Sequence, residues 1–294
     1  MTRNPGPYDL CIADRAYSSW SLRGWLLFDA FGLVPRLVVT RLYEPGFAES
    51  LKAFAPARTV PALRLPEGVC IGDSLAIAEE LASRHPGAGH WPSDPRARAV
   101  ARALAAEMHA SFPALRSHCP MNLRVSYSDC SPPQPVREDL HRLETLWAWA
   151  RAECGAGGTW LCGAYSAADA FFAPVAARVA GYNLPMGPQA MDYVQAHLAH
   201  PSFRRWRAMG QVDGADQPFY DRPYPRRPWP GPAPLPAEVC DGPSVNATCP
   251  YSGRKVTHFL RVGVTVLGFC NAFCRDKTLA DVEAWPQALS CLET

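Results

Sequence analysis

Two serines stand where a run with helical spacing begins, in Tyr17-Ser18-Ser19-Trp20-Ser21-Leu22-Arg23. A serine hydroxyl at a helix N-terminus donates to an anion, and the unpaired N–H groups and positive dipole end beside it favour the same charge. A thiolate is such an anion. A small thiol held there is shifted toward its reactive form, because the thiolate and not the thiol is the nucleophile. One charge-assisted hydrogen bond contributes about 1.5–3 kcal/mol, which is on the order of 1–2 pKa units. The alternative is that both serines are only helix caps. A second chemical group lies near the other end of the chain. Cys249-Pro250-Tyr251-Ser252-Gly253 is followed by His258 and then by Cys270 and Cys274, one helical turn apart. Sulfurs spaced by a turn share a face and reach one ion. Three thiolates with a fourth ligand suit tetrahedral Zn²⁺, and three alone suit Cu(I). His258 is the first choice for the fourth ligand, then Cys291, then Cys240.

The elements that would position these groups follow from periodicity. Tyr8 to Ala13 is a short apolar strand, and Leu22, Trp25, Leu26 and Ala30 mark the helix that follows. Leu37–Thr40 reads as a second strand, and a loop or short helix runs from about 47 to 54. Pro61–Leu65 and Val69–Ile71 read as two strands joined by the turn Pro66-Glu67-Gly68. Asp73-Ser74 then opens a helix over 75–83. Helical spacing continues over 95–115, 136–153 and 167–179, the last behind a capping-type box, Ser166-Ala167-Ala168-Asp169. Prolines crowd residues 218–236, which excludes helix and central strand and predicts an extended linker draped over the surface. The fold class expected is α+β in four parts: a βαβαββα domain over 1–85, an all-helical domain over 93–210, a linker over 211–239 and a Cys-rich tail over 240–294.

The 294 residues carry a formal charge of only +2, so there is no electrostatic footprint for nucleic acid or an anionic membrane. No run of 18 apolar residues exists, and the N-terminus lacks a secretory h-region. A cytoplasmic protein is expected. In a reducing compartment the eleven cysteines read as buried small hydrophobes, reactive thiols or metal ligands before disulfides.

Tyr17–Arg23, Thr59-Val60-Pro61-Ala62-Leu63, Gly72-Asp73-Ser74-Leu75-Ala76-Ile77 and Trp160–Asp169 together resemble the glutathione transferase family over about residues 8–210. The nearest branch is its serine-type, zeta-like bacterial members, in which a Ser pair is followed by Cys where this chain has Trp20. The resemblance implies a thioredoxin-like first domain, glutathione as co-substrate and a small electrophile as substrate, turned over as a transferase or isomerase. It implies Ser18 as the thiolate's partner with Ser19 the close second. Val60 and the cis-proline position Pro61 would pair with the cysteinyl backbone. Asp73 would take the α-ammonium, Ser74 the α-carboxylate, and Arg58 the glycyl carboxylate. The electrophile pocket is expected between the domains, with Trp20, His109, Phe112, Asn122 and Arg124 as candidates. A homodimer is also implied. The tail resembles TRASH- and YHS-type metal-binding modules, with Cys249, Cys270, Cys274 and His258 as ligands of Zn²⁺ or Cu(I). The competing reading is a noncatalytic metal- or redox-sensing protein on the same scaffold.

Overall fold

The computed structural model describes residues 6–155 and 157–293. The N-terminal stretch Met1–Pro5, read above for a leader, lies outside the described residues. The chain opens with β1 (Asp9–Ile12), α1 (Ser19–Asp29), β2 (Arg36–Val39), α2 (Gly46–Lys52), β3 (Ala62–Arg64), β4 (Cys70–Gly72) and α3 (Ser74–Arg84). The sheet order is β2-β1-β3-β4. β1 runs parallel to β2 and antiparallel to β3, with Leu10 facing both Leu37 and Leu63, and β3 pairs antiparallel with β4. This is the thioredoxin-like arrangement. All four residues of β1 are buried, as expected of a central strand covered on both faces. α1 lies across the sheet so closely that a Cβ placed on Gly24 would stand 2.6 Å from the Cβ of Pro61.

The helical part comprises α4 (Pro95–Ala110), α5 (Pro113–His118), a two-residue strand β5 (Ser126–Tyr127), α6 (Gln134–Cys154), α7 (Ala167–Gly181), α8 (Pro188–Ala199) and α9 (Pro201–Val212). Proline opens α4, α5, α8 and α9, where its missing N–H and fixed φ cost nothing. The single helix expected over 95–115 is two helices. Pro113 disfavours helical backbone at the residue before it, and Phe112 adopts φ +64° there. α7 is buried along its whole length, which its Ala-rich sequence permits. Asp169 in its first turn accepts from the Ser166 N–H at 2.9 Å and the Tyr193 hydroxyl at 2.7 Å, so this buried carboxyl is satisfied.

The proline-rich stretch departs from the expectation of a surface drape. It contains a 3-10 turn at Pro218–Tyr220 and the strand β6 (Arg226–Arg227), which pairs with β5. Tyr220 is buried between the rings and loops of the first domain. β7 (Ala237–Cys240), β8 (His258–Val262) and β9 (Thr265–Phe269) then form an antiparallel sheet, followed by α10 (Ala272–Ala280) and α11 (Pro286–Leu289). At the acidic end of the tail, Asp281 accepts from Nε and Nη2 of Arg204 on α9, at 2.8 and 2.7 Å, and so fastens the tail to the helical domain. No disulfide forms among the described residues.

Candidate active site and a thiol cluster

The turn from β1 into α1 sets the first group. Ser18 is extended (φ −79°, ψ 94°) and its oxygen accepts the Ser21 N–H at 3.2 Å, so it is the N-cap. Its proton goes to Ser21 Oγ at 2.8 Å, and Ser21 Oγ accepts the Ala13 N–H at 2.9 Å. Ser19, the first helical residue, is differently placed. Its oxygen accepts from the guanidinium of Arg178 at 3.3 Å, which leaves its own proton to donate elsewhere. The Val60–Pro61 bond is cis, and Val60 lines the same hollow as the serines.

That hollow is a cavity of about 680 Å³ between the two domains, and Trp20, Arg116, Arg178, Arg222 and Tyr220 line it with the serines. No carboxylate lines it, and none of these three arginines forms an ion pair among the described residues. Arg178 leans on the carbonyls of Cys119 (2.9 Å) and Pro174 (3.1 Å). Burial, reinforced by neighbouring Arg116, lowers its pKa to about 10. Burial likewise lowers Arg116, whose guanidinium lies 4.6 Å from the Trp20 ring centre. Arg23 sits beneath the same ring at 4.6 Å, fully buried, with Nε and Nη1 unpartnered. Cations packed this densely favour an anion in the cavity.

The remaining candidates are placed as follows. Asp73, at φ +70°, caps α3 by accepting from Leu75 N at 2.7 Å, and its other oxygen meets His109 Nε2 at 3.0 Å. Ser74 is fully buried and its hydroxyl has no hydrogen-bond partner among the described residues. Arg58 is exposed on the loop before Val60 and does not line the cavity. Among the pocket candidates, Trp20 lines the cavity and four do not. His109 is turned to Asp73. Phe112 is buried in the core at the break between α4 and α5. Asn122 holds Asp221 at 3.1 Å. Arg124 binds the carbonyls of Gly210, Asp213 and Gly214 and the carboxylate of Asp216, so it ties down the start of the linker. Arg116, Arg178, Arg222, Tyr43 and Phe219 were not singled out from sequence. Their only signal is excess arginine on elements that turn toward one gap.

In the tail, ligand atoms of Cys249, Cys270 and Cys274 lie within 4.8 Å of one another. Burial opposes a Cys249 thiolate. The N–H groups of Cys270, Tyr251 and Ser252 and the Ser252 hydroxyl outweigh it, and the pKa falls to about 7. Burial pushes Cys274 up to about 12. The Ser252 hydroxyl donates to Cys270 Sγ at 3.1 Å. Lys277 stands over Tyr251 and Trp285 at 3.7 and 3.8 Å. Burial lowers it to about 8 against the opposing pull of the thiols. His258 lies outside this cluster, because its strand turns the ring to the Thr257 hydroxyl, 2.9 Å from Nδ1.

Residues 17–84 match the family model for the glutathione S-transferase N-terminal domain. A maleylacetoacetate isomerase of Rattus norvegicus is 34% identical over 93 residues, which are 31% of this chain and 42% of the relative. The chain therefore spans less than half the length of that curated relative. A glutathione transferase homologue from Burkholderia, solved with bound glutathione, superposes with a TM-score of 0.53 at 21% identity, over 71% of this chain and all of the other. A maleylacetoacetate isomerase from Anaeromyxobacter dehalogenans, also with bound glutathione, gives 0.51 at 23% identity, over 70% and 97%. No helix among the described residues is long and apolar enough to cross a membrane. The chain thus has the two-domain fold of glutathione transferases, with the sequence likeness concentrated in the thioredoxin-like part that carries the serine pair.

Proposed function

We propose that this chain binds glutathione at the N-terminus of α1 and presents its thiolate to a small anionic electrophile, as a transferase or an isomerase. The observation that carries the reading is the cavity itself. A serine pair at a helix N-terminus opens onto a hollow with three arginines and no carboxylate. Ser18 and Ser19 share the thiolate's end of the site. Ser19 contributes the free proton, because Arg178 occupies its oxygen and Ser18 gives its proton to Ser21. Val60 offers backbone groups to the peptide, and Asp73 offers a carboxylate to the ammonium. The ordered roles of Ser74 and Arg58 are weaker, since one is fully buried and the other is on an exposed loop. A pH titration of thiolate absorbance in the glutathione complex tests this. Ser19→Ala raises the thiol pKa by about 1–2 units, the worth of one charge-assisted hydrogen bond. Absence of glutathione binding to the wild-type chain by calorimetry refutes the reading. A homodimer formed through the first domain belongs to the same proposal, and sedimentation measures it.

The thiol cluster favours a second role beside this one. The tail holds Zn²⁺ or Cu(I) on Cys249, Cys270 and Cys274, with the Ser252 hydroxyl nearer than His258 for the fourth position. The donor set fits. Hydrogen bonds to Cys249 favour its thiolate, and the Lys277 ammonium offsets the negative charge of three thiolates. Metal content and glutathione binding are measured before and after chelation. Binding that survives metal loss separates the two roles. Retained metal with no glutathione binding selects the noncatalytic sensor instead.

A further inference from the structure

We infer that His118, Cys119 and Cys130 form a second metal site, remote in sequence from the tail, that takes a divalent borderline cation such as Zn²⁺ and fixes one wall of the cavity. The three side chains come from the end of α5 and from the loop after β5, and their ligand atoms lie within 4.8 Å of one another. Cys119 is fully buried and Cys130 is 7% exposed. Cys119 and Cys130 interact with one another, and the Tyr224 hydroxyl neighbours Cys130. The Tyr224 oxygen also stands 3.4 Å from His118 Nε2, so an oxygen donor overhangs the three ligands. Two sulfurs, one imidazole and one oxygen supply the four donors that a tetrahedral ion takes. Zn–S bonds of about 2.3 Å and Zn–N bonds of about 2.0 Å require only a small contraction of the present spacing.

Charge selects the ion. Each thiol gives up one proton to solvent as its sulfur binds, and two thiolates cancel one divalent cation. The resulting neutral complex suits a buried site. A monovalent ion would leave one negative charge on the two thiolates. Uptake depends on pH through those two released protons.

The position gives the ion a purpose. Arg178 Nε donates to the Cys119 carbonyl at 2.9 Å, and Arg222 Nε donates to the His118 carbonyl at 3.2 Å. Both arginines line the cavity. An ion on these two residues' side chains therefore holds the backbone on which two of the cavity's three cations rest.

Cobalt(II) titration of the full chain tests the site, read by sulfur-to-cobalt charge-transfer absorption. Cys274→Ser disables the tail cluster and is expected to leave one bound equivalent with thiolate absorption. Adding Cys130→Ser removes that absorption, and His118→Gln in its place weakens binding by about tenfold or more. Near-UV circular dichroism verifies that each variant is folded. The wild-type chain supplies a reading that needs no variant, in which Zn²⁺ slows alkylation at Cys119 and Cys130, located by mass spectrometry. The inference is overturned if the Cys274→Ser chain shows no cobalt–thiolate absorption. It is equally overturned if Zn²⁺ protects Cys249, Cys270 and Cys274 but leaves Cys119 and Cys130 reacting at their metal-free rates.

Discussion

Gly24→Ala adds one methyl group to the face of α1 that presses on the sheet. The new Cβ would meet Pro61 Cβ at 2.6 Å and Cγ at 2.8 Å, whereas ordinary contacts begin near 3.4 Å. Neither partner is the free end of a flexible side chain. Pro61 is a ring locked into the backbone, and Gly24 lies in the middle of a fully buried helical turn. Overpacking of this kind costs about 1–3 kcal/mol. Alanine recovers about 1 kcal/mol of helix propensity over glycine. The net is a loss of up to about 2 kcal/mol, read as a lower unfolding midpoint in denaturant with an unchanged slope. The larger effect is on the site. α1 carries Ser18 and Ser19, and Pro61 follows Val60, so relieving the clash by about 1 Å separates two groups proposed to grip one peptide. Glutathione affinity is expected to fall by about tenfold, since positioning errors of this size disable a preorganised site. Calorimetry and denaturation are run on the same preparation. A Gly24→Ala chain that is as stable as wild type and binds glutathione equally well refutes both the packing argument and the placement of the peptide between α1 and Val60.

Three further outcomes follow from the geometry. Arg116→Met keeps a long side chain against Trp20 but removes a cavity cation, so KM for a carboxylated electrophile rises by about tenfold, the worth of roughly 1.4 kcal/mol, while a neutral electrophile is unaffected. Equal effects on both would remove the electrostatic argument. Asp73→Asn retains an α3 cap and tolerance of positive φ, so thermal stability changes by less than about 0.5 kcal/mol, but glutathione binding weakens; unchanged binding assigns Asp73 to the cap alone. In the metal-free chain Cys249 titrates near 7 in the fold and near 9 unfolded. The stability from its thiolate is full above pH 9 and is lost as pH falls toward 7. Lys277, lowered to about 8 from 10.5, carries a penalty below pH 8 that fades as pH rises, so part of the same slope persists in Cys249→Ser. Equal pH slopes in the two chains over 7–9 would contradict the Cys249 assignment.

The first domain was legible because its signals are local. Strand alternation, the Ser pair, Asp73 ahead of an apolar run and a proline at a strand start each occupy a few consecutive residues. The spacing of Cys270 and Cys274 was legible for the same reason, since a helical turn is a fixed offset. The cavity was not legible, because Arg116, Arg178 and Arg222 come from α5, α7 and the linker, and only the tertiary fold brings them to one gap. His109 and Phe112 lie outside the cavity's lining, one against Asp73 and the other in the core, and periodicity does not say which way a helix end turns. His118, Cys119 and Cys130 were invisible for a related reason: the ten residues between Cys119 and Cys130 carry no periodicity.

The aromatic latch at Tyr220 bears on how this polypeptide is cut and grafted. Its ring packs on Tyr17 with centres 4.7 Å apart and planes tilted by 33°, its hydroxyl meets Tyr43 at 3.1 Å, and Asp213 just upstream pairs with both Arg15 and Arg41. A fragment ending at residue 210 would keep every helix through most of α9 and still leave Arg15, only 6% exposed, as a cation without its carboxylate. Orphaning one partner of such a pair costs about 3–5 kcal/mol. The boundary drawn by secondary structure is therefore the wrong place for scissors. A truncated expression clone should extend past Arg222, and a domain transplanted onto another protein must bring this latch with it.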